Sequence, residues 1–169
     1  TSVSLAEVKR IKNRFDVSIN DVVLALTAST MRRYLLVHGG LPQEPARVNM
    51  AVSLRKDDDS AASNAITSVN ICLHTDKADP LERLQAIHGE TDAAKRMARA
   101  GESSMYDLIN SLPPFALGLL NRAMRPEMVR AVMKCNFVVS NVKGSSVPMY
   151  LAGARIEAMY PISLLANGI

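Results

Sequence analysis

The chain has 169 residues, 48% of them hydrophobic and 21% charged, with a formal net charge of +4. This length suits one domain with enough chain to bury a core, and the composition is ordinary for a globular protein. No apolar run reaches the roughly 18 residues a membrane-spanning helix needs, and basic residues are not interleaved with aromatics, so neither a spanning helix nor nucleic-acid binding is expected.

Aromatic residues make up 4% of the chain, Trp is absent and there are nine Met residues, which points to an aliphatic, adaptable core or apolar groove. The modest positive charge suits weak attraction to anionic lipid or to CoA phosphates. Cys72 and Cys135 stand alone in strand or strand-edge segments. They make no disulfide framework, and two buried thiols in a reducing, cytoplasmic setting is the simplest reading. Thr1 to Phe15 is polar and amphipathic, unlike a signal peptide. The chain starts without Met and stops at Asn167-Gly168-Ile169, as a piece cut from something longer would.

In chain order, Ser4-x-x-Glu7 reads as a capping box opening a helix with the stripe Leu5, Val8, Ile11 and Phe15. Ser18-x-x-Asp21 reads as a second one. The Ser18 hydroxyl can accept from the first-turn amides, and the Asp21 carboxylate can reach back to the Ser18 N–H. Ile19, Val22, Val23, Leu24, Ala25, Leu26, Ala28 and Met31 then surround the helix with apolar groups, so a buried helix is expected. Gly39-Gly40 can end it. Its N-terminus, marked by Asn20 and Asp21, is of the kind that binds or orients negative groups. From the residues alone, Asp21 is simply a cap.

Val48, Met50, Val52 and Leu54 alternate with Asn49, Ala51, Ser53 and Arg55, the period of a strand. Asp57-Asp58-Asp59 follows in a loop. Adjacent loop carboxylates rarely converge on a cation, so no metal site is expected. Ala65 to Leu73 reads as a second strand, with His74 at its end. Asp79-Pro80 reads as the cap and first residue of a helix whose Leu81, Leu84, Ile87 and His88 share a face. That helix is expected to reach about Ala100, with Lys95, Arg96 and Arg99 serving the dipole of its last turn. Ser103 or Ser104 would cap a separate short helix, ended by Pro113-Pro114.

Phe115 to Lys134 mixes apolar residues with Arg122, Arg125, Arg130 and Lys134. That content suits a core-facing helix or a membrane-surface contact. Phe137-Val138-Val139 enters a buried strand, and two more strand segments flank Gly153. Helices alternating with about five strands make the class α/β, with a mixed sheet and packed helices.

Four stretches carry a resemblance when taken in order. They are Asn20-Asp21-Val22-Val23-Leu24-Ala25-Leu26, Val52-Ser53-Leu54-Arg55, Val139-Ser140-Asn141-Val142-Lys143-Gly144, and Tyr150-Leu151-Ala152-Gly153-Ala154-Arg155. Together the chain resembles the C-terminal part of the bacterial wax ester synthase/diacylglycerol acyltransferase family. It departs from the family at Ser63-Asn64, where Gly-Asn is usual, and at Lys143-Gly144-Ser145, where Pro-Gly-Pro is usual. The family's His-His-x-x-x-Asp-Gly motif, which holds the general base, has no counterpart among His38, His74 and His88.

The resemblance implies a CoA-dependent acyltransferase fold, whose two halves resemble chloramphenicol acetyltransferase protomers and enclose a tunnel. Residues 1–169 would form a single domain and most of the second half. The implied reaction moves an acyl group from acyl-CoA, a substrate and not a cofactor, to diacylglycerol or a long-chain alcohol. The implied partners are the N-terminal half of the same enzyme and, peripherally, a membrane or lipid-droplet surface. No catalytic residue is expected in this chain. Asn20 and Asp21 would position the active site, Ser140 and Asn141 would line the tunnel, and Arg155 would touch CoA or else form a surface ion pair. Two other readings stand beside this one: a non-catalytic interaction or dimerisation module of the same fold, and half of a peptide-synthesis condensation domain.

Overall fold

The computed structural model describes residues 2–53, 66–111, 113–123, 135–142, 144–145 and 147–160. Two helices, α1 (Leu5–Phe15) and α2 (Ile19–Val37), precede two strands, β1 (Arg47–Ser53) and β2 (Ile66–Cys72). Helices α3 (Pro80–Ser111) and α4 (Pro114–Ala123) follow, then β3 (Phe137–Val139), β4 (Tyr150–Leu151) and β5 (Ala154–Arg155). The order β2-β1-β3 makes a mixed sheet, antiparallel between β1 and β2 and parallel between β1 and β3. This is the α/β class expected from the alternation of elements. β4 and β5 form a separate hairpin, whose turn residues Ala152 and Gly153 both have positive φ, as a tight hairpin requires.

The strand period decides which face is buried. Val48 pairs with Ile71 and Phe137, and Met50 pairs with Val69 and Val139. These two rows lie on one face and pack with Leu24 and Ala28 of α2 and Ile87 of α3. Both long helices therefore cover the same side of the sheet. A side chain such as Ile87, fully buried, contributes about 1.5–3 kcal/mol through removal from water. A second cluster of Val8, Val17, Val22 and Leu84 ties α1 and α3 to the start of α2. Two arginines clamp the segment before α3. Arg32 donates from Nη1 to the Thr75 carbonyl at 2.5 Å and the Asp76 carbonyl at 3.0 Å. Arg83, buried, donates to the Lys77 carbonyl and to Ser29 Oγ at 2.8 Å.

Several local expectations need correction. Ser4 sits at the N-cap of α1, but its side chain makes no cap hydrogen bond. Ser4 and Glu7 are both exposed, so water satisfies these groups instead. Helix α2 is buried along one side only: Leu26 is 40%, Tyr34 57% and Val37 72% exposed. Its all-round apolar sequence outruns the elements available to cover it among the described residues. Helix α3 runs through Gly101 to Ser111, absorbing the separate helix expected after Ser103. A glycine costs a helix interior only about 1 kcal/mol, and proline does not occur between Pro80 and Pro113. Lys95 and Arg96 therefore lie in mid-helix, where Arg96 pairs with Asp92 at 2.8 Å. Cys72 is buried as expected, whereas Cys135 is only partly so. Asp57, Asp58 and Asp59, and Arg125 to Lys134, lie outside the described residues.

Candidate functional site

The site grows from the first turn of α2. Ser18 is in extended conformation at the N-cap, and both halves of the capping box form. The Asp21 N–H donates to Ser18 Oγ at 3.2 Å, and the Ser18 N–H donates to Asp21 Oδ2 at 2.8 Å. A cap side chain normally stays at the surface, yet Asp21 has no exposed area. Its carboxylate reaches across to α3. His88 Nδ1 lies 2.8 Å from Asp21 Oδ2, and Thr91 Oγ1 donates to Asp21 Oδ1 at 2.6 Å. Asp21 is thus both the expected cap and a junction between two helices.

Burial alone would push this carboxyl upward. Hydrogen bonds from Thr91, His88 and Ser18 outweigh burial and hold its pKa below the ordinary carboxylate value. Asp21 is therefore ionised, and an ionised carboxylate only accepts hydrogen bonds. It follows that His88 carries a proton on Nδ1. The His88 side chain is 40% exposed, and among the described residues its Nε2 makes no hydrogen bond.

Next to Asp21, Asn20 Oδ1 accepts from Asn141 Nδ2 at 2.5 Å. Asn141 lies two residues past the end of β3, and the parallel pairing of β3 with β1 carries it to the N-terminus of α2. This contact brings together two candidates that lie 121 residues apart. It leaves the Asn20 Nδ2 hydrogens and the Asn141 Oδ1 without partners among the described residues, so the pair presents one amide donor and one acceptor. The α2 N-terminus adds its own positive end. Ser140 is exposed beside Asn141. Arg155 does not join this group among the described residues. It lies in β5 with its Nε 3.7 Å from Glu157 Oε1, the surface ion pair that was its alternative reading.

Asn141 also stands at an open apolar groove of about 690 Å³ between α1 and α2, lined by Val3, Leu5, Ile19, Val23 and Leu26 among others. The chemistry on offer is amide hydrogen bonding at the end of an open apolar groove. Among the described residues, no cluster of His, Cys, Asp or Glu could hold a metal ion. The two residues missed as site members are His88 and Thr91. The signal that could have found them is a polar pair three residues apart, with His88 on the apolar face of α3.

Three comparisons bear on this geometry. The family model for the WS/DGAT C-terminal domain matches residues 62–169. The chain is 34% identical over 167 residues to the O-acyltransferase WSD of Acinetobacter baylyi, covering 99% of this chain and 36% of that protein. It is 37% identical over 169 residues to a Mycobacterium tuberculosis protein provisionally named a diacylglycerol O-acyltransferase, covering 97% of this chain and 36% of that protein. The wax ester synthase/diacylglycerol acyltransferase of Marinobacter aquaeolei VT8 superposes with a TM-score of 0.62 at 26% identity, over 94% of this chain and 34% of that one. The chain thus spans about a third of the length of the curated relatives it matches.

Proposed function

The chain belongs to the WS/DGAT C-terminal domain family, and on that premise we propose that it is the C-terminal domain of an acyl-CoA-dependent O-acyltransferase making triacylglycerol or wax esters. Its fold is the CoA-dependent acyltransferase fold of its structural neighbour. In the proposed reaction a hydroxyl of diacylglycerol or of a long-chain alcohol attacks the acyl-CoA thioester. A histidine in the remainder of the protein takes the hydroxyl proton, since none of the three here lies in a His-His-x-x-x-Asp-Gly motif, and returns it to the CoA thiolate that leaves as the C–S bond breaks and the ester forms. Negative charge develops on the thioester oxygen and needs donors.

This chain's part is positioning. Asn20 contributes a side-chain amide at the positive end of α2, Asn141 holds that amide in place, and Asp21 locks the turn that carries Asn20. Ser140 and the apolar groove form the tunnel wall against which the N-terminal half packs. Residues 1–169 act as one domain, and acyl-CoA is consumed as a substrate, with no resident cofactor. The observation that carries this reading is the Asn141–Asn20 hydrogen bond. It joins two stretches of the family pattern at the mouth of an apolar groove.

The protein would work in the cytoplasm or against a lipid surface. Among the described residues, no helix is long and apolar enough to cross a membrane. Phe115 and Leu119 of α4 are 71% and 63% exposed and lie one helical turn apart with Arg122 beside them, an arrangement suited to the edge of a lipid layer. Acyl transfer by the full-length protein, measured with palmitoyl-CoA and either hexadecanol or diacylglycerol, tests the function. Asn20→Ala should lower kcat/KM at least about tenfold with the folded fraction unchanged. An inactive wild type would return the chain to an interaction module.

A further inference from the structure

The three histidines are not equivalent. His38 caps the C-terminus of α2, and its ring lies against Tyr34 with centroids 4.3 Å apart and planes tilted by 38°. His74 Nε2 lies 3.8 Å from Glu90 Oε1 near the surface. Among the described residues, His88 is the histidine that touches a residue of the candidate site, and that residue is the buried Asp21.

Asp21 faces a narrow set of groups. From its own turn it meets Ser18, and from α3 it meets His88 and Thr91. The α3 residues are three apart, so one helical face supplies a donor to each carboxylate oxygen. Thr91 Oγ1 also lies 3.0 Å from the His88 carbonyl, which fixes its rotamer. The carboxylate in turn fixes the first turn of α2, and the next residue back is Asn20. A rotation of that turn would break the Asn20–Asn141 bond. The orientation of the site is therefore set from α3, by side chains that do not themselves reach the groove.

We propose that His88, held by Asp21 through its Nδ1–H and supported by Thr91, is a positioning residue for Asn20 and Asn141. This rests on the acyltransferase reading above. His88 acts through Asp21, so the acyl-transfer step should slow when the Nδ1 donor is lost and recover when another donor takes its place. An asparagine side chain places an amide N–H close to where Nδ1 stands, whereas leucine fills the space without a donor.

The test uses the full-length protein carrying this chain. His88→Leu should lower kcat about tenfold or more, the scale of one hydrogen bond to a charged group, with KM close to wild type. His88→Asn should recover most of that loss. Thr91→Val, which exchanges the hydroxyl for a methyl of equal size, should slow kcat in the same direction, and it carries the test should His88→Leu lose the fold. Nitrogen-15 spectra of the histidine rings provide a readout apart from activity. The signal absent in His88→Asn should show a proton on Nδ1. An active wild type whose kcat is unchanged in folded His88→Leu overturns this inference and leaves the acyltransferase reading intact. So does a His88→Asn as slow as His88→Leu, or a ring protonated on Nε2 alone. A wild type that transfers no acyl group overturns both.

Discussion

Replacing Asp21 by alanine separates a surface cap from a buried junction. An exposed cap lost to alanine costs about 0.5–2 kcal/mol. Asp21 does more than this, because its two oxygens also accept from His88 and Thr91 with no exposed area. Hydrogen bonds to a charged group contribute about 1.5–3 kcal/mol each. Part is recovered in the variant: the Thr91 hydroxyl can turn to the His88 carbonyl 3.0 Å away, and the half-exposed His88 ring can be hydrated. With one cap and about one charge-assisted bond lost outright, Asp21→Ala should destabilise by about 3 kcal/mol. Asp21→Asn should cost about 1–2 kcal/mol less, since its amide oxygen keeps either the cap bond or the Thr91 bond. Urea unfolding of the full-length protein followed by far-UV circular dichroism would measure both. A loss under about 1 kcal/mol for Asp21→Ala would refute the junction and leave an ordinary cap.

Three further outcomes are expected. Hydrogen bonds from Thr91, His88 and Ser18 hold the Asp21 pKa in the fold below the ordinary carboxylate value, so the stability it contributes is present above that ordinary value and is lost as pH falls through the folded pKa. Unfolding free energy measured from pH 6 down to pH 2 should therefore fall less steeply in Asp21→Asn than in wild type. The 169-residue chain alone should release no CoA from palmitoyl-CoA in response to an added alcohol, because none of its three histidines lies in a His-His-x-x-x-Asp-Gly motif; release at the rate of the full-length protein would contradict this. Anionic vesicles should co-sediment the protein through α4, with clearly weaker binding after Phe115→Ser with Arg122→Glu, and equal binding by that variant would remove α4 from the lipid contact.

Elements set by neighbours in sequence were the legible ones. Ser18 and Asp21 are three residues apart, and so are the partners in their box; Asp79 caps α3 with Oδ1 accepting from Leu81 and Glu82 at 2.9 and 2.7 Å. The alternation at Val48 and Met50 revealed the buried face of β1. Where α3 ends was not legible, because Gly101 is only a weak breaker and the decision rests on the whole helix. Ser4 has a cap's spacing but stays exposed, and spacing cannot report hydration. At the candidate site, Asn20, Asp21 and Asn141 were named from the order of four short stretches, and the fold brings Asn20 and Asn141 together. His88 was placed on an apolar face and read no further, because its partner lies 67 residues away and no local pattern encodes that distance. Arg155 was read as a CoA contact or a surface ion pair, and Glu157, two residues on, supplies the ion-pair partner.

The parallel pairing of β3 with β1 has a consequence for the order of assembly. Strands β1 and β2 close on each other at Ser53 and Ile66, a short separation, whereas Arg47 meets Asn136 across 89 residues. Loop closure grows as the logarithm of length, so the second event costs about 1.7 kcal/mol more entropy than the first. The β1–β2 pair with α2 and α3 can therefore collapse around Leu24, Ile71 and Ile87 before β3 arrives. Asn141 follows two residues after β3, so on this ordering its bond to Asn20 would form late, onto an α2 whose first turn Asp21 already fixes. A defect in β3, such as Val139→Asp, would then leave a molecule with native-like helix content and most of its core, but with the amide pair unmade.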